Sequence, residues 1–202
     1  MIDHSYLELL KSRRSIRTIG KNVDYSKEEI TDLVEQVIKE SPTAFNNQTV
    51  RSIILFGKSS DLVWEIIAER LKAEVPSPEA YDRTKAKIDS FEAGFGTILY
   101  FSDRPTIEKD MAQFALYKDN FCDWSEQGLG GAEINVWTAL ANVGLGANLQ
   151  HYNPLIDDQI KQAFQVPDGW VLRAQMPFGS IEGPADDKDY LADDLRFKVR
   201  YN

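Results

Sequence analysis

Three short apolar runs, each bounded by glycine, set the strongest constraint on how this chain folds. Ser52-Ile53-Ile54-Leu55-Phe56 stops at Gly57, Gly96 opens Thr97-Ile98-Leu99-Tyr100-Phe101, and residues 170–178 are closed by Gly179. Runs of this length, rich in β-branched and aromatic residues, read as buried strands. Helical patterns fill the intervals, so residues 1–202 read as one α+β domain, without an internal repeat, low-complexity tract or dividing linker.

The helices carry local signals. Residues 4–12 put Tyr6, Leu9 and Leu10 on one stripe, and Ser26-Lys27-Glu28-Glu29 forms a capping box. The helix behind that box reaches about Glu40 through Ile30, Leu33, Val34, Val37 and Ile38, and Ser41-Pro42 stops it. Further helices are expected over 61–72, from the Pro76/Pro78 break to about Ser90, from Pro105 to about Tyr117, over 124–143 and over 156–164. The segment 146–150 reads as a short strand. Gly128, Gly130 and Gly131 permit close contact on the longest helix, which has enough apolar surface to bury more than one face.

Charge and rare residues remove several function classes. Thirty-two acidic against 23 basic side chains leave a formal charge of -9, which disfavours a general grip on nucleic acid or an anionic membrane. No apolar stretch is long enough to span a bilayer, and the first residues lack a basic-then-apolar leader, so the expected location is cytoplasmic. Cys122 is the single cysteine, and His4 and His151 are the only histidines, which leaves neither a disulfide framework nor a zinc site of the usual ligand count. There is no P-loop, G-x-S-x-G or H-E-x-x-H motif. Gly144-Leu145-Gly146-Ala147-Asn148-Leu149 begins like a dinucleotide fingerprint but lacks the third glycine and leads into a strand.

Against the acidic background, residues 11–22 carry Lys11, Arg13, Arg14, Arg17 and Lys21 without one acid. Guanidinium groups beside a serine suit a phosphate monoester, because Arg offers planar two-point hydrogen bonding. Asn46-Asn47-Gln48 supplies amides that match the alternating donor and acceptor edge of a flavin or nucleobase. Taken singly, the first run also reads as a solvated surface and the second as a loop bonding its own backbone. The acidic segment Asp186-Asp187-Lys188-Asp189 reads as solvated, and the sign turns basic again at Phe197-Lys198-Val199-Arg200.

In order, Arg13-Arg14-Ser15-Ile16-Arg17, Ser41-Pro42-Thr43-Ala44-Phe45-Asn46-Asn47-Gln48 and Lys198-Val199-Arg200 match R-x-S-x-R, S-P/S-x-x-x-N-x-Q and K-x-R. This succession resembles the nitroreductase-like FMN flavoproteins across essentially the whole chain. Residues 144–154, GLGANLQHYNP, are similar to the compact subgroup that includes bacterial copper-induced and yeast stress-linked nitroreductases.

The resemblance implies a central, mostly antiparallel sheet flanked by helices, in an intertwined homodimer with FMN sites at the subunit interface and the C-terminal segment packed across the partner. It implies that Arg13, Ser15, Lys198 and Arg200 hold the FMN phosphate and ribityl oxygens, with Arg14 in the same run. Arg17 and Asn46 would address the pyrimidine edge, with Gln48 nearby, and positive charge there stabilises the reduced ring. Backbone groups around Gln150, His151 and Tyr152 would pass near the reactive nitrogen. The implied activity is ping-pong transfer of a hydride from NADH or NADPH, through FMN, to flat electron-poor acceptors such as nitroaromatics or quinones; no protonating side chain is obligatory. Thr49 stands where many members have Pro, Tyr152 stands where a small residue is common, and the chain lacks a longer helical excursion over the pocket. Two other classes share these residues: a flavin-binding stress or regulatory protein with little turnover, and a hydrolase or nucleotide module using the arginines for another phosphate.

Overall fold

The computed structural model describes residues 2–201. β1 (Ile19–Gly20), β2 (Val50–Phe56), β3 (Gly96–Asp103), β4 (Gly146–Ala147) and β5 (Trp170–Ile181) build one five-stranded sheet in the order β1-β5-β3-β2, with β4 also on β5. The ladders between these strands are antiparallel, and one row of side chains runs Ile54, Ile98, Met176 across three strands. β2 forms a free edge.

Every residue of β3 is buried, because both faces of the sheet are covered. Successive strand residues point to opposite sides. Leu99 and Phe101 therefore pack with Trp64, Ile67, Ile88, Phe91 and Ile160, contributed by α3 (Lys58–Lys72), α4 (Pro78–Glu92) and α7 (Asp157–Phe164). Ile98 and Tyr100 pack with Ile30, Val34, Leu129, Val136 and Leu140, from α2 (Lys27–Glu40) and α6 (Phe121–Asn142). Thr97 puts a hydroxyl into the first layer, where Trp64 Nε1 donates to it at 2.9 Å and Ser60 Oγ lies 2.8 Å away, so its burial leaves no polar group stranded. No helix among the described residues is long and apolar enough to cross a membrane.

The local signals act as expected at α2. The Glu29 N–H donates to Ser26 Oγ at 3.1 Å, and the Ser26 N–H donates back to the Glu29 carboxylate at 2.8 Å. Ser41 then turns extended before Pro42. α1 (Ser5–Ser12) ends where the basic run begins, and Pro78 opens α4 with Ser77 as its cap.

Three expectations are corrected. α5 (Arg104–Gln113) stops short of Tyr117, and a 3₁₀ turn over Ala115–Asn120 follows. Phe114 leaves helical geometry, and its ring packs on Phe45 and Phe121 with centroids 4.8 and 5.9 Å apart. Gly179 lies inside β5 rather than closing it: a Cβ there would come within 2.1 Å of the Gly20 carbonyl oxygen, so the pairing with β1 requires the glycine. The strand expected over 146–150 shrinks to Gly146–Ala147, with a single further bridge between Gln150 and Gln175.

Candidate functional site

The basic run leaves α1 in extended geometry and is pinned to the sheet. Ser15 bridges to Ala147, the Ile16 N–H donates to the Ala147 carbonyl at 2.9 Å, and the buried Asn148 amide donates to the Ile16 carbonyl at 2.8 Å. These bonds fix where the side chains on either side of Ile16 emerge. Arg13 lays its guanidinium over Trp137 of α6, 4.5 Å from the ring centroid. Its Nε is buried and has no hydrogen-bond partner among the described residues. Burial first, and the neighbouring Arg14 charge second, lower the Arg13 guanidinium below its ordinary value. Arg13, Arg14, Ser15 and Arg17 converge on a cavity of about 270 Å³, whose other wall is Asp186, Asp187 and Lys188. Arg17 forms an ion pair with the Asp186 carboxylate, and Arg14 donates to the Asp186 carbonyl. The acidic segment is thus engaged with the arginines, where solvation alone was expected.

The amide loop is held open by its neighbours. Ser41 Oγ donates to the Val37 carbonyl at 2.8 Å and accepts from Asn135 at 2.9 Å, while Thr43 Oγ1 takes the Gln48 N–H at 2.9 Å. Phe45, Asn46 and Gln48 all have positive φ, near +50°, a region costing on the order of 1–2 kcal/mol for a side-chain-bearing residue. Asn47 spends its amide on Asp110, at 3.0 Å. Asn46 and Gln48 remain exposed, and Gln48 Nε2 reaches only the Asn46 carbonyl, at 3.4 Å. An apolar groove of about 400 Å³ separates Pro42–Phe45 from Trp124, Gln127, Gly128 and Gly131 of α6. Phe45 stands over it with a half-exposed ring that contacts Phe114, Tyr117, Phe121 and Trp124.

In the third segment, Gln150 exchanges both backbone hydrogen bonds with Gln175, at 2.8 and 2.9 Å, and its side chain donates to Asn148 at 2.8 Å. The Tyr152 N–H donates to Gln175 Oε1 at 2.8 Å, and the Tyr152 ring turns into the core against Trp64, where burial pushes its hydroxyl pKa up. Of the three expected backbone contacts, only His151 has a main chain with no hydrogen bond among the described residues.

Lys198 and Arg200 do not line the cavity around Arg13. They follow α8 (Asp193–Arg196) on an exposed tail, where Lys198 donates to the Asp194 carbonyl and Arg200 to that of Val199, each at 3.2 Å. Sequence reasoning missed Asn148, Gln175, Asp186 and the rings around Phe45. All of these act through partners far away in the chain; the amide-rich 144–154 segment was the only signal that pointed toward any of them.

Residues 10–180 match the model of the nitroreductase family. The chain is 33% identical over 193 residues to HBN1 of Saccharomyces cerevisiae, covering 95% of each protein. It superposes on nitroreductase CinD of Lactococcus lactis, solved with nicotinic acid, with a TM-score of 0.90 and 48% identity, over 98% of this chain and 100% of that one. CinD has also been solved with chloramphenicol and with 4-nitrophenol. A Desulfovibrio desulfuricans protein solved with FMN shares the fold, with a TM-score of 0.69 and 19% identity over the full length of both chains.

Proposed function

Because the chain belongs to the nitroreductase family, we propose that it is an FMN-dependent oxidoreductase that uses NADH or NADPH to reduce flat, electron-poor acceptors such as nitroaromatics and quinones. The observation that carries this reading is the convergence of Arg13, Arg14, Ser15 and Arg17 on one cavity, together with the buried and unpartnered Arg13 Nε. A desolvated guanidinium nitrogen without an acceptor is costly, and a phosphate monoester supplies the missing oxygen in the planar geometry that Arg prefers. The residues present therefore fit the phosphate end of FMN.

When bound, FMN supplies the redox chemistry, accepting a hydride from the nicotinamide and passing electrons to the second substrate in ping-pong order. Arg13 and Ser15 hold the phosphate, and Arg17 places positive charge at the pyrimidine edge. Asn46 and Gln48 offer amides that no other side chain has claimed. The main chain of His151, flanked by Gln150 and Tyr152 locked onto Gln175, would be free to bond the ring. The three ring compounds crystallised with CinD support the acceptor class.

A second copy of the chain completes the site. Tyr190, Leu191, Leu195, Phe197, Val199 and Tyr201 are each more than half exposed on the tail, far more apolar surface than a lone segment keeps in water. From Phe197 onward, Phe197, Val199 and Tyr201 alternate with Lys198 and Arg200, the pattern of an extended segment with one apolar and one basic side. Crossing the partner covers the first side and carries the second to a phosphate. The purified protein should be yellow, bleach anaerobically with NADH or NADPH, and regain colour with a nitroaromatic or quinone. Colourless protein that refuses added FMN would end this reading.

A further inference from the structure

The arginines of the basic segment are held in different ways. Arg17 pairs with the Asp186 carboxylate and Arg14 donates to the Asp186 carbonyl, so each already faces an oxygen. Arg13 faces none. Among the described residues its side chain makes no ion pair and no hydrogen bond, and what it meets is the Trp137 ring, whose centroid lies 4.5 Å from the guanidinium carbon. Both partners in that contact are anchored. The Arg13 N–H donates to the Leu9 carbonyl at 3.1 Å where α1 ends, and two residues on Ser15 bridges to Ala147. Trp137 stands on α6 and packs against the cluster that holds Ile30, Val34, Val136 and Leu140. The guanidinium is thus set between a fixed backbone and a fixed ring, in the wall of the cavity it shares with Ser15.

We propose that Trp137 is a positioning residue for the phosphate arm of the flavin site, holding the Arg13 guanidinium in place before the cofactor arrives. The proposal rests on the flavin reading above and deepens it. A carboxylate in the place of Trp137 would also order the arginine, but it would occupy N–H donors and offset the charge that attracts a phosphate. A ring face attracts the cation through its quadrupole and supplies no oxygen, so the charge stays and the donors wait for acceptors that a ligand brings. A long side chain free in solvent loses its rotamer freedom at the moment of binding, whereas on Trp137 that loss has already been taken in folding. The benefit belongs to the phosphate. Riboflavin carries the same ring system without that group and gains nothing from a guanidinium held ready for it.

The test strips flavin from the full-length protein and titrates FMN and riboflavin separately, by flavin fluorescence, into wild type, Trp137→Leu, Trp137→Met and Trp137→Phe, and repeats the FMN titrations in an Arg13→Ala background. Leu and Met both fill the site without a ring, so whichever variant folds carries the comparison. Either should bind FMN about tenfold more weakly, with riboflavin changed by less than about twofold. Trp137→Phe, which keeps a ring face, should stay within about threefold of wild type. Once Arg13 is alanine, removing the ring should alter FMN affinity by less than about twofold, because the two side chains act as one unit. Unchanged FMN binding in the ringless variants overturns the proposal, and so does a loss in Trp137→Phe as large as theirs. An equal loss for riboflavin, or the same tenfold loss without Arg13, also overturns it by placing the effect on the ring or the fold. Wild-type protein that binds neither flavin overturns the cofactor reading itself; wild type that binds FMN, with an unmoved FMN-to-riboflavin ratio in the ringless variants, overturns the role of Trp137 alone.

Discussion

The basic segments Arg13–Arg17 and Lys198–Arg200 carry the same chemistry on opposite foundations. The first is tied to β4 and the residue after it by Ser15, Ile16 and Asn148, and it rests Arg13 on Trp137. The second bonds only to carbonyls of its own tail, and every residue from Asp186 to Tyr201 is exposed. On the proposed reading, one chain prepays the ordering of half of its anion site and leaves the other half to be ordered by a partner. A site divided in this way makes cofactor loading and subunit association thermodynamically linked, because each stabilises what the other needs.

The largest effect should come from removing the free half altogether. A chain ended after Asp189 is expected to be monomeric at concentrations where the full chain is a dimer, and to hold FMN more than about a thousandfold more weakly, since it loses two charge-assisted contacts and the partner's cover. Its sheet should survive, because the core clusters draw nothing from the tail. Arg13→Ala is the matched change on the pinned half: about a hundredfold loss of FMN affinity, near 3 kcal/mol for a buried guanidinium contact, with the dimer intact. Light scattering and flavin titration on the two proteins read both quantities. If ending the chain at Asp189 leaves a dimer, the contrast between the halves is broken.

A smaller effect should follow from the helix beneath the pinned half. Glu133 lies one turn before Trp137 on α6 and is buried near Tyr100; burial, then the Glu126 charge, push its pKa up to about 7, against the opposing pull of Arg173. Between its ordinary 4.5 and about 7 the carboxyl is protonated in the folded chain and ionised in the unfolded one, so folding takes up a proton. Stability must then fall as pH rises through that window and level off above it. Glu133→Gln should remove roughly 2–3 kcal/mol of the difference in unfolding free energy between the two ends of that window, and the amide's own burial cost, the same at every pH, cancels from that difference. Denaturant titrations of both proteins at acidic and mildly alkaline pH measure it, and parallel pH profiles would show that Glu133 is already ionised in the fold.

What could be read from the sequence divides along the same line. The capping box at Ser26 and Glu29, the stop at Pro42 and the break at Pro76/Pro78 depend on residues a few positions apart, and all three took their expected form. The end of α5 did not, because the ring that ends it, Phe114, is captured by Phe45 from the far side of β2. The arginine run announced itself by its local charge. The carboxylate that answers it, Asp186, lay in a segment whose own composition indicated only solvation, and the register of β1 on β5 is what joins them.

The smallest expected effect probes what pins the first half. Asn148 is almost fully buried; its Nδ2 serves the Ile16 carbonyl and its Oδ1 accepts from Gln150, each at 2.8 Å. Alanine there strands a buried carbonyl and leaves a part-buried amide donor without its acceptor, which costs about 1–2 kcal/mol even if water enters to replace part of the lost bonding. The penalty is local, because the two core clusters do not depend on that side chain. Amide exchange at Ile16, whose N–H is held by Ala147, should accelerate by about tenfold or more in Asn148→Ala, while exchange in β3 keeps its wild-type rate. Such a variant moves the arginine loop part of the way toward the condition of the tail, so its FMN affinity should become more dependent on protein concentration than that of the wild type. Unaltered exchange at Ile16 would mean that the backbone bonds to β4 suffice, and that Asn148 serves Gln150 rather than the loop.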